Sequence, residues 1–272
     1  MSSPNSSAIS RTGGAGQSPI IANATDATAR KYAALSLSKS DRIRFLGFPE
    51  EVYQEAEFVL TSSWPPGIKA ASQYAGSHEY QMKGRPWGLM GTNEAVGSRV
   101  LLRNILAYLY DRSWRLTTSI SLSEKIGSKD TLLFKNAASG NPEVEWLVIQ
   151  FHSSNKIFVH CPWSPAASVA HSRSDANTSL MKSVENCLTK LEYLEKGEWS
   201  QNHDAYQFSL KGRPWRCHGQ DSMKVRKLLL ELAESLDESG WENYGTIKQR
   251  SESDDWRVCD SWYLVRKVSI LV

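Results

Sequence analysis

Two identical segments, Lys83-Gly84-Arg85-Pro86-Trp87 and Lys211-Gly212-Arg213-Pro214-Trp215, hold the residue types in this sequence best suited to chemistry. An ammonium, a guanidinium and an indole on a Gly-Pro frame make a surface able to hold a phosphate or stack a base. The same residues also describe a plain turn. Gly lets the backbone turn, Pro fixes it, and a Trp packed into the core pins it, leaving Lys and Arg as a solvated rim. Both readings stay open, and the turn is favoured because it explains every residue except the charges. The candidate binding residues are therefore Lys83, Arg85, Trp87, Lys211, Arg213 and Trp215. Trp163 joins them because it opens a segment, 163–177, that distinguishes the second copy from the first.

Other chemistry is thinly represented. His160-Cys161 and Cys217-His218 are adjacent pairs, and neighbours on a strand point to opposite faces, so neither pair readily chelates one ion. The sequence holds no HExxH, GxSxG, Walker A or complete GxGxxG segment. No metal, cofactor or catalytic residue is assigned. His152, His160, His171 and His218 could still meet where the two copies join, so an enzyme stays in view behind a non-catalytic reading.

The elements that position these residues are themselves duplicated. Tyr32 to Ser38 and Ile43 to Phe45 alternate as a strand pair. Pro49 then opens a helix striped by Val52, Ala56, Val59 and Leu60, which Trp64-Pro65-Pro66-Gly67 must stop. His78 to Met82 is a third strand leading into the pentapeptide. Asn93 is the expected N-cap of a second helix carrying Leu101, Leu102, Ile105 and Leu109, and Arg115 to Ser121 and Thr131 to Lys135 close the unit as strands. The order repeats from Trp146. Leu180, Val184, Cys187 and Leu188 renew the first stripe, Leu228, Leu229, Leu232 and Leu236 the second, and Trp241 answers Trp114. Arg99 and Arg103 on one second helix, and Lys224, Arg226 and Lys227 on the other, read as solvated faces opposite an apolar stripe.

Strands in pairs with only two helices per copy predict an α+β fold. It is two tandem strand-strand-helix-strand-helix-strand-strand units, each a mostly antiparallel sheet covered on one face by two helices. The organisation expected is a tail at 1–30, a first unit at 31–136, a short linker at 137–144 and a second unit at 145–272. The tail is Ser-, Ala- and Gly-rich and too poor in large apolar side chains to offset its ordering entropy. A groove between the units, related by an approximate two-fold, is the expected junction. From Lys31 to Phe134, the KGRPW segment, the R-x-LL helix after it and the aromatic at the end resemble a family of uncharacterised proteins common in fungi, particularly mushrooms. In that family a G-(N/R)-P-W segment often recurs within one chain. The resemblance spans both copies, about 31 to 267, and implies no activity.

Composition narrows the classes left. With 40% hydrophobic and 22% charged residues the 272-residue chain falls in the globular range, and a net charge of +3 does not demand a polyanionic partner. No apolar run is long enough to cross a bilayer, so no membrane is expected. Four scattered cysteines without a CxxC pair, and no secretory leader, point to the cytoplasm or nucleus. The leading function is an intracellular binding or adaptor protein, with a protein or peptide held at the inter-unit groove or the 163–177 segment. Single-stranded nucleic-acid binding through both KGRPW segments, and a small-molecule enzyme at the groove, are the alternatives.

Overall fold

The structure is a computed structural model describing residues 30–88, 92–122, 129–138, 140–163, 175–200, 205–249 and 258–268. The first unit runs β1 (Tyr32–Ser38), β2 (Arg42–Leu46), α1 (Glu50–Ser63), β3 (Ile68–Tyr74), β4 (Ser77–Met82), α2 (Thr92–Asp111), β5 (Trp114–Ile120) and β6 (Thr131–Asn136). The second runs β7 (Val144–His152), β8 (Lys156–Trp163), α3 (Asp175–Lys190), β9 (Leu194–Trp199), β10 (Ala205–Leu210), α4 (Asp221–Glu238), β11 (Glu242–Ile247) and β12 (Val258–Lys267). Each unit is one six-stranded sheet. The strand orders, β3-β4-β2-β1-β6-β5 and β9-β10-β8-β7-β12-β11, are the same order twice, and every pairing is antiparallel.

The α+β duplication is present, and each unit carries one strand beyond those the sequence pattern predicts. The additions are β3 and β9, both edge strands. Their side chains are exposed on both faces almost throughout, so neither shows the alternation that reveals a strand with one buried side. Trp199 is the last residue of β9. Helix α2 begins at Thr92, which places Asn93 inside the first turn instead of at the cap.

Alternation decides which face of each sheet meets its helices. Leu35, Leu37, Ile43, Phe45, Tyr80 and Met82 face α1 and α2, whose Val52, Ala56, Leu60, Leu101 and Ile105 complete one core. Leu147, Ile149, Ile157, Val159, Phe208 and Leu210 do the same beneath Val184, Leu188, Leu228 and Leu232 of α3 and α4. The opposite face of the second sheet is also buried. Its Trp146, Val148 and Tyr263 belong to the first core, packed with Leu102, Leu106 and Tyr110 of α2. The molecule is thus four layers deep, sheet, helices, sheet, helices, with α2 buried on every side from Ala95 to Tyr110 apart from four half-buried positions.

This junction differs from the expected two-fold groove. Helix α2 of the first unit lies against the sheet of the second, so unlike surfaces meet, and α2 fills the space between the two sheets. At one end the edge strands β5 and β11 also approach. The Leu116 amide donates to the Tyr244 hydroxyl at 2.8 Å, and the Lys248 amide donates to the Asp130 carboxylate at 2.8 Å. The short linker holds the units together covalently, but burial of α2 makes them one packed body.

Candidate functional site

The pentapeptides are built as matched corners. In each, Gly takes the left-handed conformation, φ +76° at Gly84 and +72° at Gly212, which a side chain would strain. The next three residues turn back, so that the Gly88 amide reaches the Arg85 carbonyl and the Arg216 amide the Arg213 carbonyl, each at 2.9 Å. Each corner is then bracketed to the hairpin that opens its own unit. Trp87 donates its amide to the Ser40 carbonyl at 2.9 Å, and Trp215 donates to the Ser154 carbonyl at 3.1 Å. The strand before each corner is tied to the same turns, Met82 to Asp41 at 2.7 Å and Leu210 to Asn155 at 2.8 Å. Six backbone hydrogen bonds thereby form two copies of one pattern.

Within these corners the side chains divide sharply. Pro86, Trp87 and Pro214 are buried, while Lys83, Arg85, Lys211 and Arg213 are exposed. Trp87 lies wholly inside the first core. Trp215 is half-buried, edge-on to Phe151 with ring centroids 5.1 Å apart, and donates its indole N–H to the Lys156 carbonyl at 3.1 Å. Neither indole is presented as a free face. Lys83 and Arg85 therefore project from one rigid corner and Lys211 and Arg213 from another, as point charges without an aromatic platform. Trp163 is the last residue of β8, its backbone in register with Trp146, and the segment it opens, 164–174, lies outside the described residues.

A second constellation was not legible as a site. Arg99 and Arg103 of α2 are only 2% and 6% exposed, because their helix face meets the second sheet instead of water. Arg99 Nε donates to Ser261 Oγ at 3.2 Å. Ser98 donates its hydroxyl to the Pro86 carbonyl at 2.6 Å, and its own carbonyl accepts from Gln249 Nε2 at 3.0 Å. Tyr263 donates in turn to the Gln249 oxygen. Across the sheet, His160 and Gln150 are fully buried and joined at 3.1 Å, and the Gln150 amide group approaches His152 Nδ1 at 3.4 Å. A polar seam thus runs through the junction from the first corner to β7, β8 and β12.

The electrostatics of this seam hold His160 neutral. Burial lowers its pKa well below the usual imidazole range, and the nearby charges of Arg103 and Arg99 lower it further. Burial also raises the Tyr263 hydroxyl, against the pull of the same two arginines. Among the described residues the candidate histidines are not brought together as one group. His152 and His160 share Gln150, His218 is exposed on the second corner, and His171 is outside the described residues. Among the described residues no group of three or more His, Cys, Asp or Glu is placed to hold a metal ion. No helix is long and apolar enough to cross a membrane.

The sequence signal that could have exposed the seam is the contrast between the two second helices. In α2 apolar residues surround Arg99 and Arg103 on all sides, Val96, Leu102, Leu106 and Tyr110 included, whereas α4 has Lys227, Glu231, Glu234 and Asp237 on its outer side. A helix apolar all round is one with neighbours on both faces.

Comparison with protein families returns one model, for a domain of uncharacterised type, matched twice, over residues 31–135 and 145–265. The two matches coincide with the two sheets and their helices. Comparison with curated proteins and with solved structures returns no match.

Proposed function

Since the chain belongs, through both of its units, to a family of uncharacterised domains, we propose from its geometry a non-catalytic binding protein that holds an acidic segment of a protein partner. The observation that carries this reading is the matched pair of rigid corners, with Lys83 and Arg85 exposed on one and Lys211 and Arg213 on the other. The rigid corners fix where the cations leave the backbone, and two corners on one body let a bivalent partner gain from linked binding. The scattered thiols, Cys187 buried and Cys217 half-buried, support a reducing compartment such as the cytoplasm or nucleus.

The burial of Trp87 favours a peptide over a single-stranded nucleic acid, because a base needs an open ring to stack on. The test is fluorescence anisotropy with two labelled probes, a glutamate-rich peptide and an oligo-thymidine strand, each at low and moderate salt. The peptide is expected to bind, and the combined Lys83→Ala, Arg85→Ala, Lys211→Ala and Arg213→Ala variant to bind it at least about tenfold more weakly. Peptide binding that is absent, or unchanged in the variant, refutes the reading. Oligonucleotide binding with quenching of tryptophan fluorescence replaces it with the nucleic-acid function.

A further inference from the structure

The internal junction is a contact between unlike surfaces, and such a contact leaves one half of itself unused at each end of the molecule. The used halves are the outer face of α2 and the face of the second sheet it covers. The unused halves are the outer face of α4 and the corresponding face of the first sheet. We propose that these two faces bind each other between molecules, so that a second copy of this chain docks its α4 on the open face of the first sheet and the chain stacks head to tail.

The two halves correspond position by position. The buried stripes Leu101, Ile105 and Leu109 of α2 and Leu228, Leu232 and Leu236 of α4 align the two helices. On that alignment Val96, Arg103 and Tyr110, the side of α2 turned to the second sheet, become Met223, Leu230 and Asp237. Met223 is 62% and Leu230 65% exposed, two large apolar side chains in water at positions where the first unit buries their counterparts. The sheets align by register. Val148 pairs with both His160 and Tyr263, as Ala34 pairs with both Leu46 and Leu133. Trp146, His160 and Tyr263 on the covered sheet then become Tyr32, Leu46 and Leu133 on the open one. Tyr32 is 52% and Leu46 46% exposed.

Charge selects a second copy of this chain as the occupant. In the internal junction Tyr110 lies edge-on to Trp146, with centroids 5.8 Å apart. Its equivalent contact brings Asp237, with Glu238 beside it, to Tyr32. There Lys135 is the register partner of Tyr32, and Arg115 is the partner of Lys135. The acidic end of α4 thus meets an exposed basic edge of the first sheet. The open face is more polar than the covered one, with Arg44 and Ser77 in the places of Phe158 and Ala205, so the contact is weaker than the internal junction and reversible.

Sedimentation velocity of the full chain over roughly a hundredfold range of concentration reads this directly. The weight-average mass is expected to rise from 30.5 kDa past twice that value, because a head-to-tail stack of two copies still leaves one half of the contact free on each. Leu230→Glu blocks one face and Leu46→Glu the other. Each variant alone stays at monomer mass, and their mixture forms a one-to-one dimer and nothing larger, because each retains the face the other lacks. Circular dichroism checks that both are folded, and Leu230→Ala with Leu46→Ala serves if either is not. Wild-type protein at monomer mass throughout, or a single variant that still pairs with itself, overturns the proposal.

Discussion

Gly245 of the second unit lies so close to Leu116 of the first that a Cβ at position 245 would stand 2.5 Å from the Leu116 Cδ2. The two residues sit on the edge strands β11 and β5, beside the hydrogen bond from the Leu116 amide to Tyr244. Gly245 also falls where the register of β11 against β12 shifts, so the missing side chain serves both the bulge and the approach. Gly245→Ala is expected to lower stability by only about 1 kcal/mol or less, because the atom it meets is the far end of the half-buried Leu116 side chain, which can turn aside. Adding Leu116→Ala should return part of that loss, and a double-mutant cycle from denaturant melts checks it. Simple additivity would mean that the units do not meet here.

His160 makes stability depend on pH in a definite direction. Its pKa is lowered in the folded chain by burial and by Arg103 and Arg99, so on acidification the unfolded chain takes up a proton that the folded chain refuses. The stability this group contributes is fully present above the ordinary imidazole pKa of about 6.5, and it falls by up to about 1.4 kcal/mol per pH unit below that value. Urea melts between pH 7.5 and 5.5 measure the slope. His160→Gln, which keeps a polar group near Gln150 and cannot take up the proton, is expected to flatten that part of the profile. An unchanged slope in the variant would assign the loss to other groups.

The corner tryptophans should differ in a measurable way. Trp87 is wholly buried, whereas Trp215 is half-buried, so Trp87→Ala is expected to cost about 3–5 kcal/mol and Trp215→Ala clearly less. Acrylamide quenching in variants retaining one of the two indoles provides the matching readout, with Trp87 shielded and Trp215 intermediate. Equal quenching of both would contradict the packing of the first corner.

Much of this architecture is readable from residues alone. Strands with one buried face, such as β1 and β2, announce themselves by alternation, and the repeated KGRPW segment with its following leucine stripe reveals the duplication. What stays hidden has a common physical cause. β3 and β9 are exposed on both sides, so there is no pattern to see. Arg99 and Arg103 look like surface charges because a charge opposite an apolar stripe usually is one, and only the partner sheet turns that face inward. His160 carries no local signal of burial, since its environment is assembled by Gln150 from the neighbouring strand and by a helix of the other unit. The backbone of each corner follows from Gly and Pro, but which hairpin carbonyl receives the Trp amide is a tertiary fact.

The most direct test of the layered arrangement is native-state hydrogen exchange followed by mass spectrometry, comparing α2 with its equivalent α4. A helix packed between two sheets should open only with the whole molecule, while a helix with one face in water can open locally. Amides of α2 from Ser98 to Tyr110 are therefore predicted to exchange at least about tenfold more slowly than those of α4 from Val225 to Leu236. Equal protection of the two helices, or slower exchange in α4, would contradict the placement of α2 at the centre of the fold.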